Sequence, residues 1–600
     1  MPVGCRFKRL VFAFAELTTA TTEKTKFMDD NKLESETGIP SEPLASTTKA
    51  GWLPELRSIC SGALLWAAFP PNNLWMLAWV ALVPLAGIWV DQPKLSRRRH
   101  LRVGLAGGLT FWLLAIKWVR LSDPSAWVGW LIMSLALAVW WPFMLLLVHQ
   151  LHEKKGWPLM PSWVVVWGFQ EIAREYYLSG FPWYYLAHTH YRQLWLIQVA
   201  DIAGTTAISL LMVAVNVIVA EWFFGGQPSW QKAPKGWKRG MVFCGVSLVF
   251  FLIYSQFRLR LASFTPGPRV ALLQSDIPQS RRLNPDHNEL VETYRKLTQK
   301  ALEQHLKLFP DNSTTLDLII WPETSFPYPV LVGDPSLDEL FYKKVLKEYI
   351  DNDQAVAEWY AHRNESQEMM TAWAKQATAA IMVGANAWDI SPNGFRKYNT
   401  AMLFQPDSAP AHYYKMHLVP FGEYIPWTEF LPIVAELAPF PPDQRPNLKH
   451  GEEARLLSLK NRWSMAPLIC FEDTVPHVVR RFFTKNVNSA TTGKVDFFVN
   501  ISNDGWFRGS EEHETHLSAS VFRCIETRTS MVRSVNTGIS AIIDGNGRVV
   551  TEVPVGREDV LSGVVPIDTR SNIYRVCGNI SGLGSSLLAI VGCLFGRRQN

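Results

Sequence analysis

Long apolar segments separated by short polar loops dominate the first part of the chain and return at its end. A membrane-spanning helix needs about 20 mostly apolar residues, and eight segments approach that length. These segments predict a multi-pass α-helical membrane domain at residues 55–258, with about seven helices, and one more helix with a basic tail at residues 577–600. The eight segments are roughly residues 57–71, 73–90, 103–119, 126–150, 158–173, 195–224, 240–257 and 577–595.

Lysine and arginine are distributed unevenly over the loops between these segments. If the N-terminus is cytoplasmic, thirteen basic residues lie in the loops and tail on the cytoplasmic side and three lie on the other side. This positive-inside bias predicts that residues 259–576 form an extracytoplasmic domain with a membrane helix at each end. Basic loops beside a membrane thus account for the net charge of +6. The charge gives no reason to expect nucleic acid as a partner. The thirteen are Lys94, Arg97, Arg98, Arg99, Arg102, Lys154, Lys155, Lys232, Lys235, Lys238, Arg239, Arg597 and Arg598, and the three are Arg120, Arg174 and Arg192.

Residues 259–576 have a different pattern, in which short β-rich runs alternate with amphipathic stretches. Apolar strands that alternate with helices predict an α/β layered fold with both sheet faces covered. The sequence Asp544-Gly545-Asn546-Gly547 predicts a hairpin turn between strands at residues 539–543 and 548–552. The other predicted strands are residues 270–274, 316–321, 380–384, 401–404, 466–470 and 497–501, and the predicted helices are residues 288–308, 335–378 and 511–531.

The two remaining features of the sequence are its N-terminal segment and its cysteines. Residues 1–54 are polar after the first fifteen and lack the features of a secretory signal, so we predict a disordered cytoplasmic tail.

The seven cysteines show neither paired spacing nor a neighbouring histidine cluster, which predicts no metal site and no disulfide framework. No phosphate-binding loop of the P-loop type is present.

Three reactive side chains lie beside apolar runs in the second half of the chain. Glu323 ends the sequence Ile-Ile-Trp-Pro-Glu, Lys415 precedes an apolar loop, and Cys470 ends a predicted strand. A carboxylate in apolar surroundings suits a general base, a buried ammonium suits an oxyanion stabiliser, and a thiol with an increased thiolate fraction suits a nucleophile. Each residue taken alone also has an ordinary explanation. Glu323 fits a solvated strand cap, Lys415 fits a surface charge, and Cys470 fits a core cysteine.

The order of these three residues resembles the nitrilase superfamily, and the flanking apolar helices resemble its bacterial apolipoprotein N-acyltransferase branch. Further similar segments are 274–279, 398–400, 420–423 and 502–507 in the α/β part, and 179–183 among the apolar segments. The resemblance implies an αββα sandwich for residues 259–576. It also implies a catalytic Glu323, Lys415 and Cys470, with Glu423, Glu472 and Asn399 in supporting roles, and neither a cofactor nor a metal.

The resemblance further implies an acyl transfer through a thioester on Cys470. The donor is a phospholipid, and the acceptor is the α-amino group of the diacylglyceryl-modified N-terminal cysteine of an apolipoprotein. Membrane lipid is the surrounding partner, and the location is the bacterial inner membrane with the catalytic domain on the periplasmic side. Phe421, Trp506 and Phe507 are predicted to line a lipid entry or lid, with core packing as the alternative for each.

Two other functions fit parts of the sequence. A membrane-tethered amidase or hydrolase would use the same three residues and pass the acyl group to water, although eight helices favour a lipid substrate. A transporter or scaffold with a degenerate domain would show ionisable residues along a membrane path. The internal candidates, Glu171 and Asp201, lie near segment ends and support that interpretation weakly.

Overall fold

A computed structural model describes most of the chain beyond residue 50. The prediction of a disordered tail concerns residues 1–54, nearly all of which lie outside the described part. The described ranges are 51–92, 95–177, 180–226, 230–283, 286–309, 315–333, 337–347, 353–361, 364–392, 394–428, 430–437, 445–484, 488–489 and 494–595.

Helices make up the parts of the chain that carry the apolar segments. They are α1 Leu53–Ala68, α2 Val83–Ala86, α3 Ile88–Asp91, α4 Arg97–Ala115, α5 Ala126–Ala138, α6 Trp140–His149, α7 Leu159–Tyr176, α8 Leu194–Ile197, α9 Ala200–Ala203, α10 Thr206–Phe224 and α11 Lys235–Arg260, with α20 Tyr574–Cys577 and α21 Ile580–Phe595 near the end. A π-helix at Gln150–Lys154 continues α6. Two of these helices approach closely, since a Cβ added at Gly62 of α1 would lie 2.5 Å from the carbonyl oxygen of Gly107 of α4.

Fewer helices qualify as membrane spans than the sequence predicts. Within the described residues, three stretches are long and apolar enough to cross a membrane, namely Ala126–Lys154, Thr206–Phe224 and Lys235–Arg260. Trp75–Asp91 and Ile580–Phe595 are apolar but shorter. The apolar helices are compatible with a membrane protein, whereas the predicted number of about eight spans is not confirmed.

Local features explain this difference. The predicted span at 195–224 is interrupted at Gly204, whose φ of 86° ends a short helix. Helix α4 begins with a run of basic residues, and α7 carries Glu171, Arg174 and Glu175 in its last turns, so neither is uniformly apolar.

Two seven-stranded sheets form the α/β part. One has the order β14-β1-β2-β4-β5-β6, with β3 pairing to β4, and the other has the order β13-β12-β11-β10-β8-β7-β9. The strands are β1 Phe264–Gln274, β2 Leu318–Ile320, β3 Val330–Gly333, β4 Ala380–Ser391, β5 Gly394–Gln405, β6 Ser408–Tyr414, β7 Arg455–Leu459, β8 Trp463–Ile469, β9 Asn488–Ser489, β10 Phe497–Ser502, β11 Ser530–Val535, β12 Ser540–Ile543, β13 Val549–Val553 and β14 Asp559–Asp568.

The two sheets pack face to face, with helices on the outer faces. The Ser534 hydroxyl of β11 crosses between the sheets and donates to the carbonyl oxygens of Leu273 and Ile320, each at 2.9 Å. Helices α13 and α16 pack on the first sheet and α19 on the second, which gives the predicted α/β layers. The helices of this part are α12 Gln279–Leu283, α13 His287–Leu308, α14 Glu339–Lys347, α15 Asp353–Ala361, α16 Glu365–Ala377, α17 Ile433–Leu437, α18 Pro476–Arg481 and α19 Glu512–Thr527.

Every predicted strand is present, and two predicted helices differ. The helix predicted at 335–378 is three helices, α14, α15 and α16, and several residues between them lie outside the described part. The helix predicted at 511–531 ends at Thr527, because Arg528 adopts a left-handed conformation with φ 45° and the chain turns into the buried strand β11. The hairpin predicted around residues 544–547 joins the antiparallel strands β12 and β13.

The α/β part contacts the helical part through buried polar groups. The Arg528 guanidinium lies 2.8 Å from the Asp201 carboxylate, and Glu526 accepts hydrogen bonds from the N–H and hydroxyl of Thr205. These contacts join the end of α19 to α9 and to the turn before α10. Helix α19, which packs against the loop that contains Cys470, is thereby fixed to the helical part of the chain.

Candidate active site

Glu323 lies in the turn that follows β2 and is 7% exposed. This turn packs directly on β4: a Cβ added at Gly384 would come within 2.5 Å of the Glu323 Cα, so only glycine leaves room. The Glu323 carboxylate accepts hydrogen bonds from the Asn399 amide at 2.7 Å and from the backbone N–H of Asn503 at 3.0 Å. The side chain is thus held by groups from both sheets.

Lys415, directly after β6, lies between two carboxylates. Its Nζ is 3.4 Å from Oε1 of Glu323 and 2.9 Å from Oε2 of Glu423, and its side chain is 1% exposed. Asn399 on β5 bridges the two carboxylates, since its amide also donates to Glu423 at 2.8 Å. The arrangement confirms that Lys415 is buried and paired, as a charged ammonium in a protein interior must be.

Two opposing effects determine the pKa of Lys415. Burial lowers it, but the negative charges of Glu423 and Glu323 outweigh burial, so the pKa lies above the ordinary value of 10.5. The ammonium therefore stays charged across the physiological range. A fixed positive charge in a site that excludes water is suited to stabilise a developing oxyanion.

Cys470 begins a short 3₁₀ helix, Cys470–Thr474, at the carboxyl end of β8. Its φ is 54°, a backbone conformation that non-glycine residues rarely adopt and that is often found at functional sites. The amide of Asn500 donates to the Cys470 carbonyl oxygen at 2.9 Å and supports this conformation. The thiol interacts electrostatically with both Glu323 and Lys415, so the three predicted residues belong to one site.

The thiol is neutral in the resting site. Burial raises the pKa of Cys470 well above 9.0, the Glu323 carboxylate raises it further, and the Lys415 ammonium offsets only part of the rise. The expectation of an increased thiolate fraction is therefore wrong, because sequence neighbours do not show how burial balances nearby charges. Attack by the sulfur requires that a base remove the thiol proton during the reaction.

Glu472 joins the Lys415 segment to the Cys470 segment. It is fully buried, and burial raises its pKa to about 7 although several hydrogen bonds and the Lys415 charge lower it. The carboxylate accepts hydrogen bonds from the backbone N–H groups of Met416, His417 and Ile469 and from the Tyr413 hydroxyl.

The three predicted lipid-contacting aromatics differ in their surroundings. Phe507 packs edge-on against Trp118 of the helical part, with ring centroids 4.6 Å apart. Phe421 and Trp506 are 43% and 38% exposed, so neither is a core residue. Phe507 is thus a packing residue, as the alternative prediction had it. For Phe421 and Trp506, the lid stays a prediction.

A buried charge network lies under the loop that begins at Cys470, and the sequence did not reveal it. Asp473, three residues after Cys470, forms an ion pair with the Arg533 guanidinium and lies 2.7 Å from Nε2 of His516. Burial lowers the pKa of His516, but Asp473 and Asp504 outweigh it and raise the pKa to about 10. The sequence signal was weak, because these residues come from four separate segments.

The loop also contacts the helical part directly. Trp183 donates from its indole N–H to the Thr474 hydroxyl at 3.1 Å, and its ring lies 5.6 Å from that of His516. Trp183 belongs to the segment 179–183 noted in the sequence. The loop that begins at Cys470 is therefore supported by the α/β part on one side and by the helical part on the other.

Family models match both the helical part and the α/β part of the chain. The family model of the apolipoprotein N-acyltransferase N-terminal domain matches residues 61–218, and that of the carbon–nitrogen hydrolases matches residues 269–574. The apolipoprotein N-acyltransferase of Geobacter metallireducens is 29% identical over 91% of this chain and 96% of its own length. The apolipoprotein N-acyltransferase of Chlorobaculum tepidum is 26% identical over 89% of this chain and 96% of its own length. The structure of Saccharomyces cerevisiae Nit3, of the nitrilase superfamily, aligns with 51% of this chain and 93% of its own, at 15% identity and a TM-score of 0.33.

The carbon–nitrogen hydrolase match covers about half of the 600 residues and includes Glu323, Lys415 and Cys470. The second family match covers most of the helical part. The chain belongs to the carbon–nitrogen hydrolase family, its helical part is similar to the N-terminal domain of apolipoprotein N-acyltransferases, and the two relatives, which match 91% and 89% of it, carry that name.

Proposed function

We propose that the protein transfers an acyl chain from a phospholipid to the α-amino group of a diacylglyceryl-modified N-terminal cysteine, through a thioester on Cys470. The observation that carries the proposal is the Lys415 ammonium, held between Glu323 and Glu423 in a buried site with the Cys470 thiol. A neutral thiol, a carboxylate base and a fixed cation are the groups that acyl transfer through sulfur requires. The names of the relatives supply the apolipoprotein acceptor, and the resemblance described for the sequence supplies the phospholipid donor.

In the first half-reaction, Glu323 takes the proton of the Cys470 thiol as the sulfur attacks the ester carbonyl carbon. The C–S bond forms, and the carbonyl oxygen becomes an oxyanion that Lys415 and the backbone N–H of Phe471 stabilise. When the intermediate collapses, the ester C–O bond breaks and the leaving alkoxide takes the proton from Glu323. The products are a lysophospholipid and the acyl thioester.

In the second half-reaction, the acceptor amine attacks the thioester carbonyl carbon at the same oxyanion site. Glu323 accepts the amine proton, the C–N bond forms, and the C–S bond breaks. The Cys470 thiolate takes the proton back from Glu323, so the resting site is regenerated with no cofactor consumed. Because one carboxylate serves as base and then as acid in each half, its position beside both Asn399 and Lys415 is essential.

We also propose the membrane arrangement that the charge pattern predicts: a multi-pass protein of the bacterial inner membrane with the 259–576 domain on the periplasmic side. Both substrates are lipids, so the site must open at a membrane surface. The exposed side chains of Phe421 and Trp506 suit such an opening, and the apolar helices suit the membrane part.

The test is an assay with a phospholipid labelled in one acyl chain and a synthetic diacylated lipopeptide, using the full chain in detergent micelles. The proposal predicts one labelled acyl group gained per lipopeptide and an equal amount of lysophospholipid. Lipopeptides with an acetylated α-amino group serve as the control and must stay unlabelled. Release of free fatty acid with no labelled lipopeptide would instead identify the membrane-tethered hydrolase.

A further inference from the structure

Three side chains of metal-binding types meet in the helical part, and none belongs to the active site. His100 lies in the first turns of α4, His149 is the last residue of α6, and Glu153 lies in the π-helix that follows α6. One possible ligand atom of each residue lies within 4.8 Å of those of the other two. In the sequence these histidines are far apart, so no histidine cluster was evident there.

The ligand atoms of His149 and Glu153 are close together without being hydrogen-bonded. Nδ1 of His149 lies 3.1 Å from Oε1 of Glu153, yet neither atom has a hydrogen-bond partner among the described residues. An ordinary histidine–glutamate pair across one helical turn would be expected to make that bond. Two ligand atoms bound tetrahedrally to one zinc ion, at about 2.0–2.1 Å each, lie ~3.4 Å apart. The observed separation is near that value.

The tautomer of His100 suits a metal ligand. Its Nδ1 lies 3.1 Å from the carbonyl oxygen of Ser96, so Nδ1 carries the proton and Nε2 keeps its lone pair. A backbone carbonyl that fixes the tautomer in this way is a common outer contact of metal-binding histidines. The ring is 1% exposed and packs against Trp89 and His149, with centroids 5.2 Å and 4.9 Å away.

The backbone around the site is also unusual. Glu153 is carried by a π-helical turn, Gln150–Lys154, directly after His149. Such turns are rare and occur frequently at functional sites. The residue His149 is itself only 8% exposed, so its unpaired nitrogen is shielded from water.

We propose that His100, His149 and Glu153 bind one divalent transition-metal ion, with zinc as the ion to test, and that the ion fastens α4 to the end of α6. Two imidazoles and one carboxylate are a ligand set that zinc accepts, whereas magnesium and calcium prefer oxygen ligands throughout. Three protein ligands leave a fourth position for water. Because the site lies outside the catalytic centre, its role is to stabilise the helical part.

The experiment uses the full chain in detergent, purified without a histidine tag and treated with a chelator that is then removed. Zinc is added, and the bound metal per chain is measured by mass spectrometry with a competing chromophoric chelator to give the affinity. The variants are His149→Gln and Glu153→Gln, and the control is His152→Gln. His152 lies on the same π-turn but directs its Nδ1 to the carbonyl oxygen of Trp157, at 2.7 Å.

The proposal predicts one tightly bound zinc per chain in the wild type and in His152→Gln, and at least ~10-fold weaker binding in both site variants. Cobalt in place of zinc should give visible absorption bands in the wild type that Glu153→Gln lacks or shifts. Absence of zinc binding in the wild type, or equal binding by wild type and Glu153→Gln, would overturn the proposal. If His149→Gln fails to fold, Glu153→Gln decides, because the change keeps the side chain's size and Glu153 is not fully buried.

Discussion

Replacing Glu423 with glutamine removes one of the two negative charges that surround Lys415 and leaves the shape of the site nearly unchanged. Glu423 lies 2.9 Å from the ammonium and also accepts hydrogen bonds from Asn399 and Val419, each at 2.8 Å. Hydrogen bonds to charged groups contribute about 1.5–3 kcal/mol. With its side chain 14% exposed, Glu423 is little screened by water. We therefore expect kcat/KM for acyl transfer to fall by about 10- to 100-fold.

The loss has two physical causes that an assay can separate. Without Glu423, burial lowers the pKa of Lys415 with less opposition, so the alkaline limb of the pH–rate profile should move to lower pH. Glu323 then becomes the only one of the two carboxylates that still pairs with the ammonium, so one ion pair instead of two holds the lysine in place.

The assay is transfer of a labelled acyl chain to a diacylated lipopeptide, measured from pH 6 to about 11, because the pKa values of the thiol and the ammonium lie above 9.0 and 10.5. Glu436→Gln, an exposed carboxylate on α17, is the matched control and should keep wild-type rates. Glu423→Gln activity within twofold of the wild type, with an unchanged alkaline limb, would refute the role assigned to the two-carboxylate arrangement.

Further predictions concern the oxyanion, the aromatics and the buried charges. Lys415→Met should lower kcat by about 10²–10³-fold, as loss of an oxyanion donor does; wild-type turnover would exclude that role. Phe507→Ala should lower the melting temperature, since the ring packs on Trp118, whereas Trp506→Ala should raise KM and leave the melting temperature unchanged; the reverse outcome would contradict the assignment. The pKa of His516 is raised from 6.5 to about 10, so its contribution to stability is present below pH 6.5 and lost as pH rises through 10. Thermal denaturation from pH 6 to 10 should show a decline, about a few kcal/mol in free energy, that is smaller in His516→Gln.

The position of the active site could be predicted because strand ends are visible in the sequence. Glu323 and Cys470 each follow a short apolar run, β2 and β8, whose parallel neighbours place reactive groups at the carboxyl edge of a sheet. Lys415 follows β6, a strand that the hydrophobic pattern does not predict. Each of the three patterns has an ordinary explanation when taken alone, and their order along the chain together with the family resemblance identified the residues that the fold brings together.

Other features depend on distant partners and could not be predicted. Strand β11 carries Arg533 in its centre, which makes the segment too polar to be identified as a buried strand, and the compensating Asp473 comes from the loop after β8. The neutral state of the Cys470 thiol likewise reflects burial by several elements. The pairing of His100 with His149 requires two helices to meet.

The most direct test of the central claim is to trap the acyl-enzyme. The full chain is incubated with phosphatidylethanolamine and no acceptor, digested, and analysed by mass spectrometry beside Cys470→Ala. The account predicts an acyl mass on the Cys470 peptide alone, released by hydroxylamine and lost when a diacylated lipopeptide is added, with the same mass gained by the lipopeptide. An unmodified Cys470 in folded protein that still acylates the lipopeptide would contradict it.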